Sequence, residues 1–201
     1  MGDALGRKVG VSGQQHKTHG VVLIGFMGAG KSSVSRALGA LLGWAFEDLD
    51  ERIELRELRS VAEIFRDSGE SEFRRAEHAA LKELLEELRA GAEKVVALGG
   101  GAFVATRNVA LIQAAGLPTV FLDAGVEELW RRCKEQVEQQ GVARPLLGKL
   151  EEFRALYQAR RPHYMKASHR IETGGRPVAA MAAEVIQALG LQRRGRQGEK
   201  Q

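Results

Sequence analysis

Residues 21–33, with the sequence Val-Val-Leu-Ile-Gly-Phe-Met-Gly-Ala-Gly-Lys-Ser-Ser, constrain the fold of this chain more than any other stretch. The first four residues are apolar and mostly β-branched, which predicts a strand buried on both faces of a sheet. A Gly-x-x-x-x-Gly-Lys-Ser run at 25–32 follows directly and matches the phosphate-binding loop at every fixed position. Apolar residues then recur at helical spacing over 34–42. These residues therefore predict a strand, a glycine loop and a helix, which is the context that the motif requires.

The glycine loop is suited to binding a nucleotide. Its glycines let backbone N–H groups turn inward toward an anion, and the helix N-terminus adds partial positive charge. We expect Lys31 to reach the β- and γ-phosphates and the Ser32 hydroxyl to bind Mg²⁺. The predicted cradle comprises Gly28, Ala29, Gly30, Lys31, Ser32 and Ser33. The alternative is a glycine turn that only joins a strand to a helix, and the adjacent Lys-Ser pair argues against it.

The positive charge of the chain is concentrated in two tails, one on each side of a predicted domain. Residues 1–19 carry a net charge of +2 and residues 191–201 carry +3, whereas the 201-residue chain carries +4. The body at 20–190 therefore carries −1 and lacks the basic surface of a nucleic-acid-binding protein. We expect a single domain at 20–190 with disordered tails, and neither nucleic acid nor membrane as a partner. A tail that contacts nucleic acid or an acidic partner is the alternative.

The cellular compartment follows from cysteine usage and from the N-terminus. Cys133 is the only cysteine, so no intrachain disulfide can form, and this suits a reducing compartment. The N-terminus lacks the apolar core of a signal peptide, and no apolar stretch approaches the length of a membrane span. We therefore expect a cytoplasmic protein, and we expect it to be a monomer.

Strands and helices alternate along the predicted domain. Apolar or β-branched runs predict further strands at 44–48, 94–98, 118–122 and 169–171. Helical spacing predicts helices at 50–59, 60–67, 73–89, 106–115, 126–137, 150–165 and 177–189, with a break at 68–70 and a flexible polar segment at 136–148. Alternation of this kind predicts an α/β fold with a five-stranded parallel sheet covered on both faces, and ligands at the carboxyl ends of its strands.

Asp48 and Asp50 end the predicted second strand. Two residues apart on an extended chain, their carboxylates point to the same face. One could hold Mg²⁺ and the other could accept a proton from a substrate hydroxyl. The alternative is a helix N-terminus, in which Asp50 is the N-cap and Glu51 belongs to an acidic first turn.

Glycines and arginines provide the other candidate site residues. Gly99, Gly100 and Gly101 follow a predicted buried strand, where they either let a ligand approach the backbone or form a flexible turn. Arg144 lies in a predicted lid at about 133–148 and suits a triphosphate. Arg160 and Arg161 either bind an anion or interact with a helix C-terminus. The charged residues from Glu72 to Glu77, Arg74 among them, are predicted to be helix surface by default.

Taken in order, these motifs resemble those of the shikimate kinase family. The resemblance covers about 21–189 and rests on Gly25-Phe-Met-Gly-Ala-Gly-Lys31-Ser32, Asp48-Leu-Asp50, Glu72-Phe-Arg74, Gly99-Gly-Gly101, Arg144-Pro-Leu-Leu147 and Arg160-x-Pro162-x-Tyr164. It implies a three-layer α/β/α P-loop fold of the nucleoside-monophosphate-kinase type. It also implies an enzyme that phosphorylates the 3-hydroxyl of shikimate with ATP, in the pathway to chorismate and the aromatic amino acids.

The resemblance also implies roles for individual residues. It places Asp48 on the Mg²⁺ side and Asp50 at the substrate hydroxyl, with Lys31, Asp50 and Arg144 as the catalytic residues. It implies a substrate clamp formed by Arg74 and Arg160 beside the three glycines. Arg144 resembles the lid arginine on the phosphates, and Arg132 and Arg176 resemble contacts on the adenine side. Forked arginine donors suit the carboxylate of shikimate.

Three other functions are compatible with a phosphate-binding loop. A P-loop kinase for a sugar acid or a nucleotide would share the scaffold, so only the substrate site distinguishes it. A guanine-nucleotide switch would need an Asn-Lys-x-Asp base reader, and the only asparagine, Asn108, is followed by Val-Ala. A non-catalytic binding module would not need to retain Lys31, Ser32, Asp48 and Asp50 together.

Overall fold

A five-stranded parallel sheet forms the centre of the molecule in the computed structural model, which describes residues 18–140 and 148–192. The strands are β1 (Gly20–Ile24), β2 (Ala45–Asp48), β3 (Lys94–Ala97), β4 (Thr119–Asp123) and β5 (His169–Glu172). Their spatial order is β2-β3-β1-β4-β5, and each neighbouring pair is parallel. The predicted sheet is therefore confirmed. Residues 1–17 and 193–201 of the predicted tails and residues 141–147 of the predicted lid, which include Arg144, lie outside the described residues.

Helices cover both faces of the sheet. They are α1 (Lys31–Leu42), α2 (Leu49–Glu57), α3 (Val61–Arg89), α4 (Thr106–Ala114), α5 (Val126–Gln140), α6 (Leu150–Tyr164) and α7 (Val178–Ala188). All residues of β1 and β4 are buried, and because side chains alternate across a strand, both faces of these strands must be covered. Among the described residues, no helix has both the length and the apolar character that crossing a membrane requires.

The strand order gathers the loops that carry the candidate residues. β1 lies between β3 and β4, and Leu23 is in register with Ala97 on one side and with Val120 on the other. The glycine loop after β1 and the glycines after β3 therefore leave the same edge of the sheet side by side. β2 pairs with β3 up to Asp48, which brings the two aspartates to that edge.

One predicted element boundary differs from the structure and another is confirmed. The predicted break at 68–70 is confirmed as a kink at Gly69, whose non-helical angles (φ 79°, ψ 175°) separate the two helical parts of α3. α5 extends to Gln140, so residues 136–140 are helical and do not belong to a flexible segment. Glutamate and glutamine favour helices, which explains why this polar stretch continues one. Ser60 and Glu63 are spaced as a capping box, and they exchange hydrogen bonds at the start of α3.

Candidate active site

The phosphate-binding loop has the backbone geometry that its glycines permit. Gly28 and Gly30 have φ values of 78° and 87°, which L-residues with side chains rarely adopt. A Cβ at Gly28 would also lie 2.7 Å from the carbonyl oxygen of Leu129 and 2.8 Å from Cys133 Sγ. Gly30 is the N-cap of α1, so the first N–H groups of the helix need partners from outside it. An anion bound at this helix terminus would supply them.

Lys31 is oriented back across the loop. Its ammonium donates to the carbonyl oxygens of Gly25 (3.0 Å) and Phe26 (3.1 Å). Lys31, Ser32 and Ser33 all line the same cleft. The ammonium therefore lies at the mouth of the glycine loop, where phosphate oxygens would bind.

Ser32 and Asp48 are joined by a direct hydrogen bond. The Ser32 hydroxyl donates to Asp48 Oδ2 at 2.9 Å, and Asp48 Oδ1 accepts from the backbone N–H of Asp50 at 3.0 Å. Asp48 is thus the N-cap of α2, whereas Asp50 and Glu51 form its acidic first turn. The alternative in which Asp50 is the N-cap is therefore wrong, because the N-cap lies two residues earlier, at Asp48. Capping uses only one oxygen of Asp48, and the other oxygen faces Ser32.

Asp50 has the properties of a proton acceptor. Burial, and secondarily the charge of Asp48, raises its pKa to about 6, although Lys31 acts in the opposite direction. Its Oδ1 is buried without a hydrogen-bond partner among the described residues. The side chain also lines the cleft that contains the phosphate loop. A half-buried carboxylate that lines a cleft and has one buried, unpaired oxygen is suited to general-base chemistry.

Each glycine of the run after β3 makes room for a different candidate side chain. A Cβ at Gly99 would lie 2.5 Å from Asp50 Oδ1, and one at Gly101 would lie 2.6 Å from the guanidinium of Arg74. A Cβ at Gly100 would lie 3.3 Å from Arg160 Nη1. The sequence left open whether these glycines serve close approach or flexibility, and the structure supports close approach. Asp50, Arg74 and Arg160 therefore converge on three consecutive residues.

Arg74 is held by two carboxylates of its own helix. It donates from Nη1 to Glu77 Oε1 at 2.9 Å and from Nη2 to Glu70 Oε1 at 3.1 Å. Glu77 is only 1% exposed, and burial raises its pKa despite the neighbouring Arg74. Asn108 of α4 donates from Nδ2 to Glu77 (3.3 Å) and to the carbonyl oxygen of Ala102 (3.1 Å). The prediction of a charged helix surface is therefore wrong for Glu77, and no motif in the sequence identified its partner Asn108.

Arg160 extends from α6 toward the phosphate loop. Its Cζ lies 6.0 Å from the centroid of the Phe26 ring. One turn further along α6, the hydroxyl of Tyr164 donates to the carbonyl oxygen of Gly100. α6 thus contacts both the loop after β1 and the loop after β3.

These residues surround a cleft of about 450 Å³. Its lining comprises Met27, Gly28, Gly30, Lys31, Ser32, Ser33, Asp48, Asp50, Glu51, Glu54, Leu98, Gly99, Gly100, Gln136 and Arg160. Gln136, on α5, had no motif that could have identified it. Arg74 and Gly101 lie beside this lining and are not part of it.

The two arginines predicted on the adenine side meet at the carboxyl end of β5. Arg132 donates to the carbonyl oxygen of Thr173 at 2.7 Å and pairs with Glu128 at 2.8 Å. Arg176 donates to the carbonyl oxygen of Glu172 at 3.0 Å. The structure brings these arginines together but not into the lining of the cleft, as far as the described residues define it.

Sequence comparisons match this chain to one family of known proteins. A family model described as shikimate kinase matches residues 27–190. The chain is 40% identical over 182 residues to the shikimate kinase of Symbiobacterium thermophilum, with 89% of this chain and 99% of the relative covered. It is 40% identical over 172 residues to the shikimate kinase of Cereibacter sphaeroides, with 84% and 81% covered.

Solved structures of the same family also match this chain. Shikimate kinase from Acinetobacter baumannii, in complex with shikimate, matches with a TM-score of 0.75 and 31% identity over 86% of this chain and 93% of that one. Shikimate kinase from Aquifex aeolicus matches with a TM-score of 0.72 and 34% identity over 85% and 96%. A gluconokinase from Sinorhizobium meliloti, 18% identical with a TM-score of 0.53, shares the fold alone. The predicted P-loop fold of the nucleoside-monophosphate-kinase type is confirmed.

Proposed function

We propose how this chain, which belongs to the shikimate kinase family, uses its cleft to transfer a phosphoryl group from ATP to shikimate. The family match confirms the predicted family, reaction and pathway. The residue roles below are inferred from the contacts within the cleft.

The loop after β1 binds the phosphates of ATP. The N–H groups at the start of α1 and the Lys31 ammonium neutralise charge on the transferred group, which is the main task in phosphoryl transfer. Ser32 and Asp48 fit Mg²⁺, because a hydroxyl and a carboxylate oxygen 2.9 Å apart beside the phosphate loop are the hard ligands that this ion prefers. When bound, Mg²⁺ neutralises charge on the β- and γ-phosphates.

Asp50 accepts the proton of the attacking shikimate hydroxyl. The Asp50 side chain lines the same cleft as the phosphate loop, and its unpaired buried Oδ1 lies beside Gly99. This single observation carries the assignment. With its pKa near 6, Asp50 is ionised at neutral pH and is a stronger base than an ordinary aspartate.

Arg74 and Arg160 bind the substrate beside the glycine loop. Their guanidinium groups flank Gly101 and Gly100, whose Cα atoms are about 3.8 Å apart, so one small ligand can reach both. The forked donors of arginine match the carboxylate of shikimate, and close backbone approach at Gly99, Gly100 and Gly101 completes the site.

The remaining assignments depend on position along the chain. The family motif assigns Arg144 to the ATP phosphates, and it assigns Arg132 and Arg176, which meet at the end of β5, to the adenine side. The enzyme acts in the cytoplasm, a reducing compartment that suits a chain with a single, fully buried cysteine. We also propose that it is a monomer. Sedimentation analysis would test the oligomeric state.

A coupled ADP-release assay with shikimate, gluconate and nucleoside monophosphates tests these roles. Of these acceptors, we expect only shikimate to be phosphorylated. Turnover should be nearly lost in both Lys31→Ala and Asp50→Asn, and loss of the lysine should raise the activation barrier by several kcal/mol. Asp67→Asn is the matched control, because Asp67 is exposed and pairs only with its neighbour Arg66 among the described ion pairs. Near-normal turnover in either active-site variant would contradict the corresponding role.

A further inference from the structure

α6 packs its buried stripe against the phosphate-binding loop. Phe153 and Tyr157, one turn apart on this helix, both contact the Phe26 ring edge to face, with centroids 5.0 Å and 5.5 Å away. Phe26 is 1% exposed, so the contact lies inside the core. The orientation of α6 about its own axis therefore determines which of its side chains face the cleft.

A buried carboxylate at the end of β4, that of Asp123, binds two residues of α6, Tyr157 and Arg161. Asp123 is 2% exposed, and its Oδ2 accepts from Arg161 Nη2 at 2.7 Å and from Arg170 Nε at 2.9 Å. Its Oδ1 accepts from the hydroxyl of Tyr157 at 3.2 Å. α6 is thus attached to β4 through Arg161 and Tyr157, and β5 is attached to the same carboxylate through Arg170.

Arg160 and Arg161 are chemically identical but have different environments. Consecutive helical residues point about 100° apart around the axis, so only one of the two can face the cleft. Arg161 is bound by Asp123, whereas Arg160 lines the cleft beside Phe26 and Gly100. Asp123 therefore binds one of the two arginines, and the other lines the cleft.

We propose that Asp123 and Arg161 are a positioning pair that fixes the rotation of α6 and thereby directs Arg160 into the substrate site. This inference rests on the proposed role of Arg160 in binding shikimate. Arg161 contacts neither the cleft nor the glycine loop among the described residues, so it acts through Arg160. A small rotation of α6 would be enough to impair substrate binding by Arg160, because misplacing a binding group by about 1 Å can lower the rate by up to about 100-fold.

Arg170 provides a matched control for Arg161. Both guanidinium groups bind the same Oδ2 of Asp123, but Arg161 lies on α6 and Arg170 lies on β5. In Arg161→Met the carboxylate keeps Arg170 and Tyr157, and in Arg170→Met it keeps Arg161 and Tyr157, so neither variant leaves a buried charge without a partner. Both proteins should therefore fold.

Steady-state kinetics with shikimate, with ATP affinity and melting temperature measured separately, test the pair. Arg161→Met should raise the KM for shikimate by about tenfold and leave ATP affinity unchanged. Arg161→Lys, which keeps the charge, should recover part of that loss. Arg170→Met should keep the KM within about twofold of the parent value, even where its melting temperature falls. Equal effects of the Arg161→Met and Arg170→Met variants on KM, or no effect of Arg161→Met, would overturn the proposal.

A double-variant cycle separates this inference from the role proposed for Arg160. If Arg161 acts through Arg160, then Arg161→Met should add nothing to the shikimate KM of an Arg160→Met enzyme. Additive effects would mean that Arg161 has its own contact with the substrate and would overturn the pair. A raised KM in Arg160→Met without one in Arg161→Met would overturn the pair alone. An unchanged KM in Arg160→Met would overturn the binding role of Arg160 and the pair with it.

Discussion

At the scale of single residues, burial and the charge of Asp48 keep a proton on Asp50 up to a pH of about 6. Lys31, at the mouth of the phosphate loop, favours the ionised form and limits this shift. The carboxylate is therefore basic enough to accept a hydroxyl proton and is still ionised at neutral pH. Two consequences, one for rate and one for stability, follow from this balance.

The pH dependence of the reaction should report Asp50. We expect kcat/KM for shikimate to fall about tenfold per pH unit below a pH of about 6, because the protonated acid cannot act as the base. An aspartate with an ordinary pKa would keep the rate constant down to about pH 4. A pH-rate profile at fixed, saturating ATP measures this, and a flat profile between pH 6 and about 4.5 would contradict a raised pKa.

The same shift predicts a stability change with a defined sign. Because the pKa of Asp50 rises from 3.8 to about 6 on folding, proton binding stabilises the fold fully below pH 3.8, and this contribution is lost as the pH rises through 6. Asp50→Asn should therefore raise the free energy of unfolding at pH 8 by up to about 3 kcal/mol. Urea denaturation at pH 8 and near pH 4 measures it, and an equal gain at both pH values would contradict the linkage.

At the scale of elements, the loop after β3 shows how a short glycine run can position three side chains. Gly99, Gly100 and Gly101 are approached by residues from α2, α6 and α3 respectively. The loop has its own backbone hydrogen bonds, such as Ala102 N–H to the carbonyl oxygen of Gly99 at 3.0 Å. It is therefore an ordered turn, and its missing side chains are what allow the three helices to reach it.

Gly101→Ala should impair substrate binding more than folding. The added methyl would lie 2.6 Å from two nitrogen atoms of Arg74, and the flexible end of that side chain can move away without disturbing the backbone. We expect the shikimate KM to rise by about tenfold, with ATP affinity unchanged. Gly125→Ala is the control, since a Cβ there meets no atom within 4 Å. Similar kinetics in both variants would show that the space beside Gly101 has no role in substrate binding.

The elements also show what the sequence could and could not predict. The phosphate loop and the capping box at Ser60 were predictable because each depends on residues close together in the chain. The parallel sheet was predictable because strands and helices alternate along the chain. The burial of Glu77 was not, because its partner Asn108 lies 31 residues away and a charged helix residue is exposed by default. The bond between Arg161 and Asp123 spans 38 residues, so local pattern could not distinguish Arg161 from Arg160.

At the scale of the whole molecule, the substrate site is the place where distant elements meet. Arg74 lies on α3 and Arg160 on α6, yet their guanidinium groups flank the consecutive glycines 101 and 100. Each helix is held separately, α3 through Glu77 and Asn108 and α6 through its contacts with Phe26. A ligand that binds both arginines would couple two parts of the fold that otherwise have few shared contacts.

Arg74→Lys and Arg160→Lys should each raise the shikimate KM strongly, because a lysine point charge cannot reproduce the two-pronged hydrogen bonds of a guanidinium. ATP affinity should be nearly unchanged, since neither residue belongs to the phosphate loop. The stabilisation of the whole protein by shikimate, about 2.7 kcal/mol at 100 times the Kd for the parent, should shrink in both variants at the same shikimate concentration. Kinetics, ATP titration and melting with and without shikimate measure the three effects.

The double variant tests whether both arginines act on one ligand. Residues that share a partner couple, so the loss of shikimate affinity in Arg74→Lys/Arg160→Lys should differ from the sum of the single losses by about 0.5 kcal/mol or more. Arg75→Lys is the matched control, because Arg75 neighbours Arg74 on α3 but is exposed and pairs with Glu72. As a surface residue it should change affinity by no more than about 0.5 kcal/mol. Strict additivity would mean that the two arginines bind separate ligands. Unchanged shikimate kinetics in both single variants would mean that neither arginine belongs to the substrate site, and the proposed ATP binding at the loop after β1 would still stand.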